Sequence, residues 1–76
     1  MVHARPDYNR FQDPENKIPE DEPVFLLRAT DKVSAATVRT WCALMEAAGG
    51  DPEFIKLARD HADKMEAWPT KKVADL

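Results

Sequence analysis

A single short apolar stretch, Val24-Phe25-Leu26-Leu27, stands ahead of two helix-patterned segments, and no other part of the chain patterns as a strand. An apolar run after Pro23, led by a β-branched and an aromatic residue, reads as a strand reaching Ala29. Alternation sends Phe25, Leu27 and Ala29 to one face and Val24, Leu26 and Arg28 to the other. A lone strand leaves its backbone N–H and C=O groups unpaired. The expectation is therefore an antiparallel ribbon with a second copy of the chain, with Val24, Phe25, Leu26 and Leu27 at the interface. The alternative is an extended segment lying over the helices. Chain length points the same way. A chain of 76 residues makes one domain at most, and a core that small usually needs a staple. The one cysteine, Cys42, excludes an internal disulfide and falls short of a Cys/His zinc set. No metal or cofactor is expected, which leaves a partner subunit as the staple.

The first helix is predicted from about Ser34 to Ala48, with Thr30, Asp31 and Ser34 as start residues able to accept from free first-turn N–H groups. Val38, Trp41, Cys42, Leu44, Met45 and Ala48 recur at spacings of three and four and make one apolar face, with Arg39 and Glu46 off it. Gly49-Gly50 ends the helix. Asp51-Pro52-Glu53 is the clearest local signal: an aspartate cap, proline at the first helical position and an acidic first turn. The second helix then carries Phe54, Leu57, Ala58, Met65 and Trp68 on one side, with Ile55 and Ala62 at the margin, until Pro69 stops it. The fold class that follows is mainly α: a short N-terminal strand and an αα-hairpin, assembled as a homo-oligomer.

Residues 1–22 are polar, broken by Pro6, Pro14 and Pro19, and read as an extended or disordered acidic arm. Tyr8, Phe11 and Ile18 are its apolar exceptions and the candidates for docking onto a neighbouring subunit. Residues 23–69 form the strand-helix-helix oligomerisation domain, and 70–76 a flexible tail. The net charge of −3 gives no general attraction to nucleic acid or anionic membrane. No apolar run approaches the roughly 20 residues of a membrane span, and the N-terminus lacks a signal-peptide core. A cytoplasmic location is expected.

Candidates for catalysis are few. His3 lies in the arm. His61 falls in the apolar stripe of the second helix, where a histidine is more often a packed structural residue than a base. Cys42 sits on the buried face of the first helix and reads as a small hydrophobe; a Cys42/His61 pair lacks an orienting third group. A non-enzymatic protein is expected. Arg28 is the residue to watch. It ends the strand beside Thr30, Asp31 and a helix start, where an arginine can clamp a phosphate or carboxylate bidentately. A local ion pair with Asp31, or with an acidic residue of a neighbour, is the plainer reading. Arg39 and Trp41 on the following helix complete the candidate ligand set, although Trp41 also fits the core.

The order Phe25-Leu26-Leu27-Arg28, helix, Gly49-Gly50, helix resembles ribbon-helix-helix proteins over residues 24–68. That resemblance implies strands paired between subunits and outward side chains, here Val24, Leu26 and Arg28, reading the major groove as a transcriptional regulator. The pattern Phe25-x-Leu27-Arg28-x-x-Asp31, then Val38-x-x-Trp41 and Met65-x-x-Trp68, is similar to small uncharacterised phage and bacterial proteins. Small oligomeric phage proteins of this kind block a host protein or sequester a nucleotide signal. The leading expectation is a binding protein that holds a partner protein or a small anionic, nucleotide-type ligand between subunits.

Overall fold

The computed structural model describes residues 1–8 and 13–75. The chain is mainly helical, with a short N-terminal strand pair and two helices: β1 (Val2–His3), a 3-10 turn at Pro6–Tyr8, β2 (Pro23–Val24), α1 (Ser34–Ala47) and α2 (Pro52–Ala67). No helix among the described residues is long and apolar enough to cross a membrane.

Both helix boundaries follow from local chemistry. Gly49 takes φ +78°, and its N–H donates to the Glu46 carbonyl at 3.1 Å while the Gly50 N–H donates to Met45 at 2.8 Å. These two bonds satisfy carbonyls that the end of a helix leaves open, with glycine bearing the left-handed turn. A Cβ on Gly50 would lie 2.9 Å from Met45 Cε and 3.0 Å from the Met45 carbonyl oxygen, so the turn is tight as well as left-handed. Asp51 then caps α2, its carboxylate accepting from the Glu53 N–H at 3.0 Å ahead of Pro52.

The strand expectation is corrected in two respects. β2 ends at Val24 rather than running to Ala29, and its partner lies in the same chain. Val2 pairs with Pro23 and His3 with Val24, in parallel. Two residues carry no readable period, so Val2-His3 gives no strand signal in the sequence. The premise for an antiparallel ribbon between copies, that the chain holds no second strand, falls with this pairing. The arm closes on itself instead of extending: the Met1 ammonium donates to the Glu20 carbonyl at 2.9 Å and the Val2 N–H to Glu22 at 2.8 Å. Tyr8 is buried and Ile18 half-buried. Phe11 lies outside the described residues.

The tail is fastened too. Lys72 and Asp31 form an isolated parallel bridge, and the Lys71 ammonium donates to the carbonyls of Ala29 and Met65. One side chain thus joins the linker to the C-terminal turn of α2, where open carbonyls favour a cation.

The core between the helices is small, made of Ala35 and Cys42 from α1 and Ile55, Ala62 and Met65 from α2. Cys42 is fully buried, with its thiol 3.8 Å from the Ile55 carbonyl oxygen. The expected apolar faces are rotated relative to this packing. Ile55 and Ala62, read as marginal, are central, while Phe54, Leu57 and Trp68 are exposed, as are Trp41 and Leu44. Small side chains at the contact explain the rotation: alanine and cysteine let the helix backbones approach closely, and the larger residues fall to the outside.

Candidate functional site

The largest convergence of polar side chains lies where three segments distant in sequence meet. Residues 4–8 of the arm, the linker from Phe25 to Asp31 and the tail from Lys72 to Asp75 enclose a cleft of about 100 Å³. Backbone pairing places them. The Lys32 N–H donates to the Lys72 carbonyl at 2.9 Å, and the Lys72 N–H to the Thr30 carbonyl at 2.8 Å. The arm is held over the same spot by Arg5, which donates to the Asp75 carbonyl at 2.8 Å and to both carboxylate oxygens of Asp7. Its guanidinium also lies 4.8 Å from the centroid of the Tyr8 ring, a cation–π distance.

Three cations, Arg5, Arg28 and Lys72, stand against two carboxylates, Asp31 and Asp75, in the cleft wall. Two of the cations are engaged. Arg5 is held above its ordinary pKa, chiefly by its hydrogen bond with Asp7. Lys72 pairs with Asp75 at 2.8 Å, and that hydrogen bond holds the Asp75 carboxyl below its ordinary range. Asp31 is turned toward the helix start, accepting from the Val33 N–H at 3.1 Å. The local ion pair between Arg28 and Asp31 does not form. The exposed Arg28 guanidinium has no hydrogen bond or ion pair among the described residues. Beside it Phe25 is 74% exposed.

Of the ligand residues expected from sequence, Arg28, Thr30 and Asp31 come together here, with Phe25 and Leu26 of the expected oligomer interface. Val24 is taken up by the strand pair and Leu27 is half-buried. Arg39 and Trp41 stand elsewhere. Arg39 crosses to α2, bonding Asp63 at 2.9 Å and Glu66 at 2.8 Å. This contact raises its pKa and, through the Glu66 hydrogen bond, lowers that of Glu66. Trp41 meets Phe54 with ring centroids 5.6 Å apart on another side of α1. Arg5, Lys72 and Asp75 were missed, and Tyr8 was read only as a contact for a neighbouring subunit. Nothing local marks them, since their placement depends on strand and bridge pairings across most of the chain.

Cys42 is enclosed in the core while His61 is exposed on α2. Among the described residues no three His, Cys, Asp or Glu side chains are grouped to hold a metal ion. No protein family, curated protein or solved structure matches the chain.

Proposed function

We propose that this chain is a non-enzymatic, homo-oligomeric binding protein of the cytoplasm that sequesters a small anionic ligand of nucleotide type. The observation that carries the reading is an Arg28 guanidinium with no hydrogen bond or ion pair among the described residues, sharing one cleft with the exposed Phe25 ring. A guanidinium recognises phosphate bidentately, and an exposed aromatic ring offers a stacking face that any base can use. A cleft of about 100 Å³ is well below the 300–1,000 Å³ of pockets that enclose whole small molecules. It therefore takes the anionic group, and the rest of the ligand lies outside it, over Phe25.

Calorimetric titration with mononucleotides, cyclic dinucleotides and inorganic phosphate tests this. A nucleotide binds more tightly than phosphate alone. Arg28→Ala weakens binding about tenfold or more, the usual loss for a charge-assisted hydrogen bond, and Phe25→Ala weakens nucleotide but not phosphate. Absence of heat with every ligand at millimolar concentration refutes the reading. A salt-sensitive gel shift on DNA would favour the ribbon-helix-helix alternative instead.

A further inference from the structure

The hairpin has two unlike edges. On one, Arg39 bridges to Asp63 and Glu66, and Arg59 to Glu46. On the other stand Val33, just ahead of α1, and Trp41 and Leu44 within it, with Phe54 and Leu57 of α2 and Trp68 just beyond its end, each between 37% and 68% exposed. Helix geometry explains why they share a side. At about 100° per residue, Trp41 and Leu44 lie roughly a quarter turn or more from Cys42. Phe54, Leu57 and His61 are offset in the same sense from Ile55 and Ala62. Because α1 and α2 run antiparallel, equal offsets bring both stripes to one face, and the Trp41–Phe54 ring contact crosses between them.

We infer that this face is where a second copy of the chain docks, α-hairpin against α-hairpin. This rests on the self-association proposed above and relocates its interface from Val24–Leu27 to the helices. Two observations commit the face to a copy of itself. The first is area. Side chains of about 150–250 Å² each, at the exposures given, leave roughly 650 Å² of apolar surface per copy. Two copies therefore cover about 1,300 Å², at the lower end of the range of stable interfaces, and each patch slightly exceeds the roughly 300–600 Å² of the largest patch on an ordinary monomer. The second is charge. A two-fold contact sets each patch against itself, so a charged patch opposes its own sign. The only charges of α1, Arg39 and Glu46, both reach across to α2 on the opposite edge. Ala36, Thr37 and Thr40, which line one shallow depression with Val33, Trp41 and Leu44, are small and neutral, allowing close approach to the same helix of a partner.

Sedimentation equilibrium from 1 to 200 µM, read alongside tryptophan emission, tests the assignment. Both tryptophans of the chain, Trp41 and Trp68, lie on this face. The wild type is expected to show at least twice the chain mass, with emission shifting to the red as dilution separates the copies. Leu44→Glu and Leu57→Glu, at exposed positions, keep their helical circular dichroism and sediment as single chains; Lys56→Ala on the outer side of α2 associates normally. A wild type of single-chain mass at 200 µM overturns both this inference and the homo-oligomer. Association that persists in both glutamate variants, or that is lost without any emission change, overturns only the face. If a glutamate variant loses its helical signal, the wild-type emission on dilution decides.

Discussion

Replacing Ile55 with alanine, and separately Leu57 with alanine, tests which side of α2 is the core. Ile55 is 5% exposed and Leu57 68% exposed, although they are two residues apart on one helix. Ile55→Ala removes three buried carbons at about 0.8 kcal/mol each. With the cavity left behind, the cost is about 2–4 kcal/mol. Leu57→Ala removes as many carbons, but only about a third of their surface is out of water, so its cost in a single chain is under about 1 kcal/mol. For a chain this small, stability falls by about 1 kcal/mol per molar urea. Ile55→Ala therefore lowers the midpoint by about 2–4 M and Leu57→Ala by less than about 1 M. Urea titrations followed by circular dichroism, at concentrations where the chains sediment singly, measure both. The apolar periodicity of the sequence made Leu57 central and Ile55 marginal, which is the opposite ordering. A Leu57→Ala loss equal to or larger than that of Ile55→Ala refutes the packing and the exposed face with it.

Gly49→Ala forces a side chain into the left-handed region at about 1–2 kcal/mol, so the thermal midpoint drops by roughly 5 °C or more. Asp51→Ala removes the cap on Glu53 and costs about 1 kcal/mol; a change below about 0.3 kcal/mol in urea would show the cap to be idle. Cys42, fully buried, alkylates with iodoacetamide at a rate set by opening of the hairpin, slow in buffer and fast in urea. Equal rates in the two conditions would place the thiol at the surface. The Glu66 carboxyl is held below its ordinary value of 4.5 by the Arg39 hydrogen bond. A depressed carboxyl stabilises the fold above its unfolded value and loses that contribution as pH falls through the folded one. Stability thus declines below about pH 4.5, and Glu66→Gln flattens that limb; an identical acid limb in Glu66→Gln would show the pair to contribute nothing.

The helices and the turn between them were legible because their signals are local. Asp51, Pro52, Gly49 and Gly50 each act within one turn of where they stand. The faces were less legible. An apolar arc wider than one contact cannot say which part meets the partner helix, and small residues such as Ala62 and Cys42 decide that through backbone approach rather than hydropathy. Arg28, Thr30 and Asp31 were grouped as candidates because a cation after an apolar stretch and before a helix start is a local pattern. The other half of the cleft was not. Val2-His3 is too short to pattern, and Lys72 is placed by carbonyls and amides forty residues away, which side-chain identities do not encode.

The Lys71 ammonium, shared between the carbonyls of Ala29 and Met65, makes the last residues a brace rather than a trailing end. Trimming the chain after Thr70 would release the linker from the helix end and remove Lys72 from the Thr30 pairing. The cleft wall would then open although every helical residue stayed in place. Purification handles appended at that terminus sit close to the proposed binding groups, so titrations belong on material from which they have been removed.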